Sequence, residues 1–233
     1  MKRVFVPTRT GAEWQLLLAK PALHWKSGAS AMTTAASWED ASDSLPPEIS
    51  GRLEASGEPL LLGQHLLVAL PEWQVVLPGG NTTSNTDVLA ICRNDKGLCI
   101  LGIEAKVFED FGPLLSEKRA EASSGQQERL KYLQALLGVE HFEDSIRYQL
   151  VHRTASALLT AREFHASAAV MVVQAFDTPV SQRQEFEAFR SALRAEEVAP
   201  LIYKVPGFQS PTLYLAWCDG DPKFRQAVLP SAL

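Results

Sequence analysis

Apolar and polar positions change rhythm several times along this chain. Residues 86–92 (TDVLAIC) and 98–107 (LCILGIEAKV) are apolar, partly β-branched runs on either side of Asn94-Asp95-Lys96-Gly97. Strand-length runs flanking an Asx/Gly turn predict a β-hairpin. A shorter run at 73–77 (WQVVL), stopped by Pro78-Gly79-Gly80, predicts a strand before it. Residues 168–176 (AAVMVVQAF) lack alternation and predict a strand buried on both faces, and 212–218 predicts a last strand. Helical spacing marks 12–18, 29–40, the segment from the turn Leu45-Pro-Pro-Glu48 to about 55, then 117–137, 145–164 and 185–195. Residues 60–70 (LLLGQHLLVAL) suit a buried strand or a short helix, and periodicity does not choose between them.

The predicted order is helices, a three-stranded antiparallel meander, helices, a buried strand, helix and strand. That is an α/β chain with a central mixed sheet flanked by helices. We expect one domain over 1–233: an N-terminal helical part (1–70), a core (71–180) and a C-terminal helix and strand (181–233).

Composition narrows the function classes. The chain of 233 residues is 46% hydrophobic and 21% charged, values of an ordinary globular protein. No apolar run approaches a membrane span and the first residues lack a signal-peptide core, so the expectation is a cytoplasmic chain without a membrane partner. The formal charge of −5 leaves no overall positive field for duplex DNA, so a nucleic-acid partner would meet a local basic patch or offer short or single-stranded pieces. Cys92, Cys99 and Cys218 have no zinc-knuckle spacing and read as small buried hydrophobes.

The chemistry rests on hairpin register. With the turn at 94–97, Asp87 falls opposite Glu104, and directly opposed side chains stand about 4.5–5.5 Å apart at Cβ. Like charges that close repel unless a positive group intervenes, and Lys106 shares the face of Glu104 because strand side chains alternate. The opposite face carries Leu101, Ile103, Ala105 and Val107, the expected core face. A solvated Glu–Lys pair gives the same pattern, and a one-residue slip undoes the pairing.

Thr86-Asp87-Val88-Leu89-Ala90, a hairpin, then Gly102-Ile103-Glu104-Ala105-Lys106 resembles the signature of the PD-(D/E)XK nucleases, with Thr86 where the family has proline. The resemblance covers roughly 73–176. More narrowly, GGNTTSNTDVLA, EAKVFEDFGP and RYQLVHRTASALL resemble a bacterial family linked to that superfamily, which brings no activity to carry over. The superfamily resemblance implies a restriction-endonuclease-like fold and phosphodiester hydrolysis of DNA or RNA. It also implies Mg²⁺ or Mn²⁺ on Asp87, Glu104 and the Ala105 carbonyl, with Lys106 steadying the attacking water and the phosphate. Gln149 resembles the helix glutamine of recombination-type relatives. Arg147, His152 and Arg153 on the same helix, and Asn85, are candidates for substrate binding. Relatives add a further Glu, for which Glu39, Glu48, Glu54 and Glu72 are open. The stretch 79–85 could present backbone N–H groups to phosphate, and double-strand cutting would imply a homodimer. Two further readings stay open: an inactive scaffold or binding domain of the same fold, and an enzyme for a small phosphorylated metabolite.

Overall fold

The structure is a computed structural model that describes residues 10–80 and 82–233. Its frame is one seven-stranded sheet, β1 (His65–Val76), β2 (Thr83–Asn94), β3 (Gly97–Lys106), β4 (Ala168–Ala175), β5 (Glu196–Ala199), β6 (Ile202–Lys204) and β7 (Thr212–Asp219). They lie in the order β1-β2-β3-β4-β7-β6-β5. β3, β4 and β7 run parallel to one another, and the other neighbours are antiparallel. A parallel neighbour needs a crossover, and between β3 and β4 it is made by α4 (Leu115–Ala120), α5 (Ser124–Leu136) and α6 (Tyr148–Glu163).

Helices cover both faces. On one face a short 3-10 helix (Ala12–Leu17), α1 (Pro21–His24), α2 (Ser30–Ala41) and α3 (Pro47–Ala55) bury Trp14, Trp38, Ile49 and Leu53 against Val88, Ala90, Leu101, Ile103 and Val172. On the other, α5, α6 and α7 (Val180–Ala192) pack Leu133, Leu150, Val151, Leu158, Phe186 and Phe189 on Leu89, Ile100, Met171, Val173 and Trp217. Full cover explains why β3 and β4 read as unbroken apolar runs. Cys92, Cys99 and Cys218 are buried free thiols.

Several boundaries depart from the sequence expectation, each for a local reason. Residues 65–70 run on into the strand expected at 73–77 as one strand, β1, with Pro71 inside it, while 60–63 form a turn; β1 is a sheet-edge strand, where a missing N–H is tolerated. Residues 117–137 form two helices, because Ser123 caps α5 in a reciprocal box with Gln126. The helix expected at 185–195 starts at Val180, behind Pro179. Thr83, Ser84 and Asn85 lie in β2, leaving only the turn before them. Around that turn Arg129 donates to the Leu77, Pro78 and Thr82 carbonyls, and Gly79 packs directly on Gly125. β5 and β6, of four and three residues, had no sequence signal.

Candidate functional site

The site is assembled where α6 seats on β3. Gly102 makes this contact close: a Cβ there would stand 3.0 Å from the Ala157 Cβ. One turn before Ala157 is Arg153, and two residues after Gly102 is Glu104. The seating brings Arg153 over Glu104, whose Oε2 accepts from Arg153 Nε at 2.5 Å while Oε1 accepts from Lys106 Nζ at 2.5 Å. Glu104 is 2% and Lys106 5% exposed, so the Glu–Lys pair is not a solvated surface pair. The expectation that only the Leu101/Ile103 side of β3 is core is therefore corrected: α6 buries the Glu104 side as well. Lys106 Nζ also lies 5.2 Å from the centre of the buried Phe111 ring.

Asp87 stands one position beyond the last β2–β3 ladder pair, Val88 and Ile103, in the register expected from the turn. There its Oδ2 accepts from the Ala105 N–H at 2.8 Å, and Oδ1 lies 4.0 Å from Arg153 Nη2. Glu72 joins from β1. It has a left-handed φ of 53°, and the strand's faces change across it, since Leu70 and Trp73 both pack on the α6-side core. A residue held in that conformation in a strand is strained, and the twist brings its carboxylate towards Asp87. Of the open acids, Glu72 is the one that reaches the cleft. Glu39 accepts from Trp14 Nε1, Glu48 from Gln174 Nε2 and Glu54 from the Gly63 N–H.

The charges are unequal in their comfort. Burial and then the neighbouring Asp87 push Glu72 up to about 8. Burial and then Glu104 push Asp87 up to about 7. Against burial, Lys106 and Arg153 hold Glu104 down to about 2. Three carboxylates thus face two cations, and the surplus falls on Glu72 and Asp87.

A second layer orients Arg153. Its Nη1 donates to Ser84 Oγ at 3.2 Å, and Ser84 Oγ lies 2.8 Å from His152 Nδ1. Ser84 Oγ thus joins Arg153 and His152 in one chain of hydrogen bonds. Burial and then Arg153 hold the imidazole well below its ordinary value, hence neutral. Ser84 had no signal beyond its place three residues before Asp87.

Glu72, Asp87, Glu104, Lys106, Gln149 and Arg153 line a cleft of about 370 Å³ whose far wall is the N-terminal segment with Trp14, His24 and Trp25. Gln149, Arg153 and Gly112 also line an adjoining depression with Asn85, Tyr148 and His152. Arg147 lines neither; it caps α6 and is tied to Glu185 Oε1 and the Gly112 carbonyl. Ser156, one turn after His152, is buried and bonds the His152 carbonyl. Among the described residues, no group of three or more His, Cys, Asp or Glu side chains is arranged to hold a metal ion.

Residues 7–222 match the sequence profile of a family described as Domain of unknown function (DUF6946). The chain belongs to the DUF6946 family. No curated protein and no solved structure matches it. The DUF6946 match spans both the N-terminal segment that walls the cleft and the strands that carry the acids, so these parts are common to one family unit. Among the described residues, no helix of this DUF6946 chain is long and apolar enough to cross a membrane.

Proposed function

We propose that this DUF6946 protein hydrolyses phosphodiester bonds of nucleic acid with a divalent metal, on a restriction-endonuclease-like core of the PD-(D/E)XK type. The observation that carries this reading is the convergence of Glu72, Asp87 and Glu104 with Lys106 and Arg153 in one cleft beside the central strand. Three carboxylates are hard oxygen donors of the kind Mg²⁺ and Mn²⁺ take. Burial and, after it, their mutual repulsion raise Glu72 and Asp87, and a divalent cation would offset both.

Asp87, Glu104, Glu72 and the Ala105 carbonyl would hold the ion. When bound, the ion supplies an acidified water and polarises the phosphoryl oxygen. Lys106 steadies the attacking water and neutralises charge on the phosphoryl group. Arg153 offers a planar fork suited to phosphate oxygens. Gln149, at the rim, holds the substrate or an outer water in register.

One observation favours a second reading. Both oxygens of Glu104 are already engaged by Lys106 and Arg153, as in a closed structural ion-pair network. On that reading the protein is a non-catalytic scaffold or binding domain. Titration calorimetry with Mg²⁺ and Mn²⁺ on the wild type, Asp87→Asn and Glu72→Gln separates the two, with cleavage of DNA and RNA followed alongside. Binding that both substitutions abolish, with cleavage lost in parallel, supports hydrolysis. A wild type that binds neither ion sinks it and leaves the scaffold.

A further inference from the structure

The depression next to the carboxylate cleft is not explained by metal chemistry. Its volume is about 470 Å³, and its walls are Thr82, Thr83, Asn85, Pro113, Tyr148 and His152, with Gly112, Gln149 and Arg153 shared with the cleft. A molecule whose phosphate lies against Arg153 therefore has room for its next part on the Tyr148 side. The chemistry of that side is aromatic and neutral. The Tyr148 and His152 rings stand 4.8 Å apart at 50°, and Tyr148 is only partly buried. His152 has Nδ1 engaged by Ser84, so Nε2 is its remaining polar atom in the wall of the depression. Asn85 adds an amide whose Oδ1 already accepts from Thr83, leaving its NH₂ group to donate. Positive charge is sparse: besides Arg153 there is Lys118, 5.4 Å from the Tyr148 ring centre. Arg129 and Arg147, which could have widened a basic track, are bound to carbonyls and to Glu185.

We propose that this depression seats an unstacked nucleobase, so that the substrate of the cleft is a single-stranded polynucleotide rather than a duplex. This rests on the hydrolase reading for the adjacent cleft. An aromatic wall with a few donors suits the face and edge of a base that has left its stack. A duplex hides its base faces and requires many phosphates to be neutralised, whereas the cations of this cleft, Lys106 and Arg153, are already paired with Glu104, Lys118 stands outside it, and five acids, Glu72, Asp87, Glu104, Glu109 and Asp110, line it.

The test is fluorescence anisotropy with a short labelled deoxythymidine strand, the same strand annealed to its complement, and a version with one abasic position. Each is titrated with the full chain in EDTA and in Mn²⁺, and the Mn²⁺ samples are also examined for cleavage. The wild type is expected to bind the single strand more tightly than the duplex. Tyr148→Ala should weaken that binding roughly ten-fold, the loss expected of one stacked base. Tyr148→Phe, which keeps the ring and controls for folding, should bind like the wild type, and the abasic strand should bind the wild type as weakly as Tyr148→Ala binds the intact one. A folded Tyr148→Ala that binds as well as the wild type, a preference for duplex, or no binding of any strand overturns the proposal. Asp87-dependent cleavage without a Tyr148 effect sinks this inference and leaves the hydrolase reading. Tyr148-dependent binding without cleavage does the reverse.

Discussion

Glu104 keeps its charge because two cations hold it, and that leaves Asp87 and Glu72 to settle the surplus between themselves by keeping protons. The unfolded chain holds these two acids at ordinary values, 3.8 for Asp87 and 4.5 for Glu72, and the fold raises them to about 7 and about 8. Across that window the folded protein binds protons that the unfolded one has released. Their contribution to stability is therefore complete below the ordinary values and is lost as pH rises through the raised ones. Glu104 works the other way: its contribution is present above its ordinary 4.5 and is lost as pH falls through about 2. Glu72→Gln removes an acid that resists ionising, so without divalent metal its thermal midpoint should exceed the wild type's by a margin that grows with pH across this window. Thermal melts over a pH series check this, and a margin independent of pH would count against it. Arg153 carries the opposite burden. Its side chain is 10% exposed and Glu104's is 2%, so Arg153→Met strands a buried carboxylate, a loss of roughly 3–5 kcal/mol. Urea unfolding should show it, and adding Glu104→Gln to Arg153→Met should recover much of the loss, since the two positions are coupled.

At the scale of elements, the site depends on how closely α6 approaches β3, and Gly102 sets that distance. Gly102→Val places branched carbons into Ala157, an overpacking expected to cost about 1–3 kcal/mol. It should also lift Arg153 off Glu104, so combining it with Arg153→Met should cost less than the sum of the two. Gly51, inside α3 with open space where a Cβ would sit, is the matched control: Gly51→Ala should stabilise by about 0.5–1 kcal/mol. Chemical denaturation of the four variants measures both. These contacts also show which parts of the site could be read in advance. The hairpin register from Asn94 to Val88 follows from a turn written in four residues, and with it the approach of Asp87 to Glu104. The burial of Glu104 could not be read, because it depends on a helix that arrives about fifty positions later in the chain and on one missing side chain. Glu72 was one of four open acids, since a left-handed residue inside a strand has no signature when it is not glycine. Arg147 and Arg153 look alike on paper; only the long-range partners, Glu185 for one and Glu104 for the other, separate them. The split of 117–137 was legible in principle from Ser123 and Gln126, a capping pair hidden inside continuous helical spacing.

Across the whole molecule, the wall that narrows the cleft is held by residues from the far end of the chain. Trp25 Nε1 donates to the Pro230 carbonyl, Ser231 Oγ and the Ala232 N–H both donate to Gln15 Oε1, and Leu229 packs on Gly11. The wall itself has little regular structure, a 3-10 helix and one helical turn, with Leu16, Leu17 and Leu23 largely exposed. A segment with so few ladder bonds opens at low cost unless it is fastened. Its fastenings include the 227–233 contacts, the Trp14–Glu39 bond and the burial of Trp14 and Trp25. Gln15→Ala removes two of these bonds without touching the acids, Lys106 or Arg153. It should leave the global unfolding midpoint nearly unchanged, because Trp14 and Trp25 keep their places in the core, yet it should free the segment locally. Lys26 is exposed and followed by serine, so brief trypsin treatment at low enzyme should cut there several-fold faster in Gln15→Ala than in the wild type, with the rest of the chain still resistant. Equal rates at Lys26 would mean that the wall is held by Trp14 and Trp25 alone. A fall in global stability of the same size as the local gain in cleavage would mean that the segment opens only when the whole fold does, which would make the cleft's far wall a fixed part of the core.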